Sequence, residues 1–171
     1  MVDVPSDHPG GFGRYRMTES HAADIAAVIA ALRRRAAVPV WLIGTSKGTV
    51  SAVNVAARLK SGGADGVVIT SSVTRDTRAG VGTVFDAGLE DLRVPTLVGH
   101  HESDACIGTP GVDARALIDR VRTARKELLL FRGGAGGASG NRACGPHSAH
   151  GYYGIDDEVV TAIAAWIKAA P

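Results

Sequence analysis

Aromatic residues make up only 5% of this 171-residue chain, and it contains just two cysteines. Two cysteines cannot complete a structural zinc site, which normally takes four ligands. Long apolar runs are missing as well. No stretch approaches the roughly eighteen residues needed to cross a bilayer, so no membrane partner is expected. The segment Met1 to Asp7 has neither the basic start nor the apolar centre of a signal peptide. Charge of one sign is also scarce. The net charge is +2, and the basic residues are dispersed apart from Arg33-Arg34-Arg35, a run that suits a helix C-terminus, where cations complement the dipole. Nucleic acid is therefore not an expected partner. What remains is a chain that is 45% apolar, enough for one domain, residues 1–171, with an ordinary core and no internal repeat.

The apolar pattern predicts an α/β chain. Val2 to Val4 reads as the end of a strand, running into a turn-rich segment, Pro5 to Arg16. A helix follows over Glu19 to Arg35, where Ile25, Val28, Ile29 and Leu32 recur on one face and Thr18 or Ser20 caps the start. Strands are expected at Val38 to Ile43, Gly66 to Thr70, Val94 to Gly99 and Glu127 to Phe131. The intervening helices are Thr49 to Lys60, closed by Gly62-Gly63, and Val112 to Ala124, with Ser71 to Arg93 a loop holding a broken helix. Asp156 to Ala169 is the closing helix, its buried face being Val159, Val160, Ile163, Trp166 and Ile167. Continuous apolar strands alternating with amphipathic helices predict a three-layer parallel sheet with helices on both faces. Sites in such sheets form beyond the carboxyl ends of the strands.

One turn at that end carries chemistry. Gly44-Thr45-Ser46-Lys47-Gly48 joins an apolar strand to a helix and puts a serine between two glycines. Such a turn is tight enough that side chains beside the serine would collide with strand or helix, which gives both glycines a steric reason. A serine hydroxyl is a weak nucleophile at neutral pH. It needs a histidine to take its proton and a carboxylate to orient that histidine. Glu102 and Asp104 are the acids offered by the loop His100 to Cys106, and Asp104 is preferred because it lies a few residues past the strand end. His147 and His150 are the histidines between the last strand and the last helix, and His150 is preferred because Gly151 follows it. The same segment is not a phosphate loop, since Lys47 precedes its glycine, and the run Gly133 to Gly140 does not supply GxGxxG.

The segments GTSKGT, VPTLVGHHESDAC and CGPHSAHGYYGIDDEVVTAIAAWI resemble the nucleophile elbow, acid loop and histidine loop of a bacterial α/β-hydrolase family. The order Ser46, Asp104, His150 is also that of this family. The resemblance implies a serine esterase cleaving a carboxylic ester or similar acyl bond of a small-molecule substrate, with no metal and no organic cofactor. Acyl transfer uses the same triad, and a noncatalytic binding domain with a vestigial triad is the alternative from another class. The backbone N–H of Lys47 would be one oxyanion donor. Compared with the family the chain starts late, an N-terminally minimal version without about three strands and a helix. That leaves the strand leading to Ser46 as an edge, to be covered by Val2 to Val4 or by a second copy in a homodimer. In the first case the N–H groups of Gly10 and Gly11 would substitute as oxyanion donors. If the triad forms, Cys106 and Cys144 lie on loops that approach each other and either form a disulfide or remain two buried thiols; a disulfide would suit a periplasmic or secreted parent. Phe12, Phe85 and Tyr152 point to a small or short-chain acyl group.

Overall fold

Glu19–Arg35 forms a helix (α2) as its periodicity requires, capped by Thr18, whose Oγ1 accepts the His21 N–H at 3.2 Å. The structure is a computed structural model that describes residues 11–60, 62–77, 82–134, 138 and 140–169. Val2 to Val4, expected as a strand end, lies outside the described residues. A short helix, Gly11–Tyr15 (α1), replaces part of the segment expected to be turns. The remaining elements are β1 (Trp41–Thr45), α3 (Lys47–Leu59), β2 (Gly66–Thr70), β3 (Thr96–His101), α4 (Ala114–Arg120), β4 (Lys126–Phe131) and α5 (Asp156–Lys168). The four strands pair in parallel in the order β1-β2-β3-β4, so every connection between them is a crossover.

Helices cover both faces. Val50, Val53 and Ala57 of α3 and Leu117 of α4 pack against Val67, Ile69 and Val98 on one face. On the other, Trp166, Ile163 and Ile167 of α5 pack against Val68 and Leu97. Trp41 joins this second layer, its ring edge-on to Trp166 with centroids 5.6 Å apart. Gly66 makes room for it, since a Cβ there would lie 2.1 Å from the Trp41 ring. α2 lies outside α3, with Ile25 and Ile29 against Val40, Ala64 and Leu59.

Several expectations are corrected. β1 starts at Trp41 rather than Val38: Pro39 has no N–H for a ladder, and the Val40 N–H is donated to Asp65 Oδ2 instead. α4 is shorter than Val112 to Ala124, because a 3-10 turn occupies Gly111–Asp113 and the backbone becomes extended at Val121. Val160 points away from the sheet and is 64% exposed. Val28 and Leu32 are exposed too, since the part of α2 that meets the core is narrowed to Ile25 and Ile29. Among the described residues β1 pairs only with β2, which makes it an edge, and its Ile43 is 58% exposed.

Candidate active site

Ser46 stands at the carboxyl end of β1, at the junction with α3, with φ 52° and ψ −124°. A non-glycine residue at positive φ is strained and is held there only by its surroundings. The Ser46 N–H is donated to Thr70 O at 3.0 Å, and its carbonyl accepts from both the N–H and the hydroxyl of Thr49. Gly44 has the steric reason expected of it: a Cβ there would lie 2.4 Å from Gly48 O. Gly48 does not. A Cβ at Gly48 would meet nothing within 4 Å among the described residues, because its Cα faces outward from the first turn of α3 while Gly44 faces into it. Lys47 is the first residue of α3, so its N–H belongs to the turn that has no intrahelical acceptor. Gly10 lies outside the described residues, and Gly11 opens α1.

The acid loop leaves β3. Asp104 is fully buried, and its Oδ2 lies 3.0 Å from His150 Nδ1 while its Oδ1 accepts the Cys106 N–H at 2.9 Å. The loop closes on itself through Gly111, whose N–H donates to Asp104 O at 2.9 Å and whose missing Cβ would lie 2.4 Å from Glu102 O. Burial would push the Asp104 carboxyl up, but the imidazoles of His100 and His150 and the Cys106 N–H outweigh it and hold the group well below the usual carboxylate range. Glu102, the other acid considered, faces solvent in a two-pronged pair with Arg132 at 2.6 and 2.9 Å.

His150 sits in a 3-10 turn, Ala149–Gly151, at the end of the loop from β4. Three contacts fix this turn. Ser71 Oγ, from the end of β2, donates to His150 O at 2.8 Å, Tyr152 OH donates to Gly99 O at 3.0 Å, and Ser148 Oγ is placed 2.8 Å from both Ala143 O and Gly145 O. Gly151 is needed here, since a Cβ would fall 2.3 Å from Pro146 O. His147 is exposed, edge-on to Tyr153, and away from the carboxylate. Cys106 and Cys144 form a disulfide with Cα atoms 4.7 Å apart, joining the acid loop to the histidine loop.

The structure thus pairs Asp104 with His150 and sets Ser46 two strands away at the same end of the sheet, where the hydrogen bonds Ser46 N–H to Thr70 O and Ser71 N–H to Gly99 O tie the three strand ends together. It brings no hydrogen bond between Ser46 Oγ and the His150 ring among the described residues. Two residues escaped the sequence reading. Thr109 Oγ1 lies 2.8 Å from His150 Nδ1 and 2.9 Å from Asp104 Oδ2. His100, fully buried, has Nε2 2.9 Å from Thr109 O and 3.6 Å from Asp104 Oδ2. Neither is marked by a motif, although His100 belongs to the HHESDAC segment.

Of the aromatic residues expected to size the pocket, the Phe12 side chain lies outside what the structure describes, and the other two do other work. Phe85 packs on the core beneath Arg120, 4.5 Å from its ring centre, and Tyr152 packs with Phe131 and Val159. Tyr152 is buried, and Phe85 is half-buried against the core. A cavity of about 640 Å³ lined by Asn54, Arg58, Lys60, Asp86, Asp91 and Arg93 lies toward the far end of α3, roughly 10 to 20 Å along the helix from Ser46.

No protein-family model matches the sequence, and no curated protein matches it. Solved structures do resemble the fold. A metagenome-derived lipolytic enzyme, from work on LipS and LipT, superposes with a TM-score of 0.63 at 12% identity, over 86% of this chain and 71% of that one. Est1E from Butyrivibrio proteoclasticus gives 0.53 at 11% identity, over 97% and 83%. A dienelactone hydrolase from Anabaena variabilis gives 0.50 at 15%, over 80% of this chain and only 56% of that one. The fold is therefore α/β-hydrolase-like.

Proposed function

We propose that this chain is a serine-dependent carboxylic-ester hydrolase. The observation that carries the reading is the buried Asp104–His150 pair, 3.0 Å apart, at the same sheet end as a serine on a strained strand-to-helix turn. In the first half-reaction Ser46 Oγ bonds to the acyl carbon as its proton passes to His150 Nε2. The tetrahedral oxyanion takes the Lys47 N–H as a donor. Collapse breaks the bond to the leaving alcohol, which receives the proton from His150, and leaves an acyl-enzyme. A water then attacks the acyl carbon, His150 takes its proton, and collapse returns the proton to Ser46 Oγ with release of the acid.

This reading is supported by the esterase and lipolytic activities carried by similar folds. A small ester is the proposed substrate, an oxidising compartment suits the Cys106–Cys144 bond, and a second copy of the chain is the proposed cover for the β1 edge. The test is a fluorophosphonate label together with p-nitrophenyl ester turnover across acyl lengths. Wild type should be labelled and Ser46→Ala should not, with turnover falling by about a thousandfold or more. No label on wild type would leave the binding-domain reading in its place, and faster ester loss with added alcohol would identify acyl transfer.

A further inference from the structure

Asp104 Oδ2, His150 Nδ1 and Thr109 Oγ1 form a triangle with sides of 3.0, 2.8 and 2.9 Å. When Asp104 is ionised and His150 carries its proton on Nδ1, two protons serve these three sides. The Thr109 hydroxyl donates to Oδ2. The Nδ1–H is left to be shared between Oδ2 and Thr109 Oγ1, since a hydroxyl oxygen that donates can still accept. Thr109 is itself fixed. It is buried, its N–H donates to Cys106 O at 3.0 Å, and its carbonyl faces His100 Nε2 at 2.9 Å. The side chain is thus aimed by two backbone bonds at a point between acid and base.

We propose that Thr109 is a positioning residue of this site, whose hydroxyl holds the Asp104 carboxylate in register with His150 and takes a share of its charge that would otherwise fall on the imidazole. The inference rests on the reading of His150 as the base. A hydrogen bond donated to a carboxylate spreads its charge, so removing the donor makes that carboxylate a stronger acceptor for Nδ1–H. The titratable neighbours are few among the described residues. His100 faces Asp104 from β3, Asp113 lies beyond His100, and Tyr152, pushed up to about 12 by burial, stays neutral over the working range.

Thr109→Val keeps the shape and removes the hydroxyl, and Thr109→Ser restores it. In Thr109→Val the acid limb of the kcat/KM profile should move to higher pH by about half a unit, about threefold in kcat/KM on that side, with KM unchanged. The Nδ1–H proton resonance of His150 should move downfield. Thr109→Ser should match wild type in both. A Thr109→Val enzyme with limb and resonance unmoved, or a Thr109→Ser enzyme that behaves like Thr109→Val, overturns the proposal. The resonance is read without turnover, so an inactive wild type would sink the esterase reading and still leave Thr109 decided. If Thr109→Val does not fold, the wild-type spectrum decides: a slowly exchanging Thr109 hydroxyl proton with a cross-peak to His150 Nδ1–H is required, and its absence overturns the inference.

Discussion

Asp104 is held from both carboxylate oxygens, by His150 and Thr109 on Oδ2 and the Cys106 N–H on Oδ1, in a loop bonded covalently to the one that carries His150. Ser46 stands just past the end of β1, an edge strand among the described residues, in a strained backbone conformation, with a side chain that makes no capping bond to its own helix. The acid and histidine corner is therefore tied through the functional side chains themselves and a cross-link, while the serine corner is tied through the Ser46 backbone, by Thr70 O and by the N–H and hydroxyl of Thr49. The difference matters because a general base must be held within about 0.5 Å of its productive position by the groups around it, whereas a nucleophile on a tight turn is aimed by the turn itself. Breaking the first corner should need a side-chain or cross-link change. Breaking the second should need only a change in backbone space.

The largest effect is expected at the disulfide. Its sequence separation of 38 residues corresponds to about 4 kcal/mol in the loop-entropy estimate. For a chain of this size that is about 10 °C in melting temperature. Because the Cys106 N–H is also the donor to Asp104 Oδ1, reduction or a Cys106→Ser, Cys144→Ser double change should lower turnover along with stability. Melts and ester assays with and without dithiothreitol read both. Turnover that is unaffected well below the lowered melting point would show that the acid loop does not depend on the cross-link.

Acid should act on the same corner. The Asp104 carboxyl is depressed in the folded chain, so its contribution to stability is fully present above the unfolded carboxylate value near 4 and is lost as pH falls through the folded value. Urea midpoints from pH 7 down to pH 3 should fall more steeply for wild type than for Asp104→Asn, which has no carboxylate to protonate. Parallel slopes would remove Asp104 from the acid response.

How far the sequence disclosed this arrangement follows from the range of each interaction. α2, β2 and the start of α5 were legible, because periodicity and capping act over a few neighbours. Ser46 was legible for the same reason, its turn being local. The choices of Asp104 over Glu102 and of His150 over His147 rested on position in the loops, and the structure pairs the preferred two. Thr109 was not legible at all. Its role comes from meeting His150, 41 residues away, and nothing in its own neighbourhood distinguishes it from a loop threonine. The packing of Phe85 and Tyr152 was hidden for a related reason: sequence puts them in or beside loops, while long-range contacts set the Tyr152 ring in the core and the Phe85 ring against it.

The two glycines beside Ser46 give the finest contrast, because sequence treats them alike and the backbone does not. A Cβ on Gly44 would overlap the carbonyl of Gly48 at 2.4 Å and the N of Thr49 at 2.9 Å. Neither atom can move without shifting the first turn of α3, so Gly44→Ala should cost about 3 kcal/mol. The same shift carries Ser46 with it, and a displacement near 1 Å is worth about a hundredfold in rate. Gly48→Ala meets open space among the described residues and replaces a poor helix former within α3, so it should stabilise by up to about 1 kcal/mol. Urea titrations and ester turnover of the two variants distinguish the cases. If Gly48→Ala instead loses activity with its fold intact, the space over Gly48 is occupied during turnover, and the second glycine serves the substrate or its oxyanion rather than the turn.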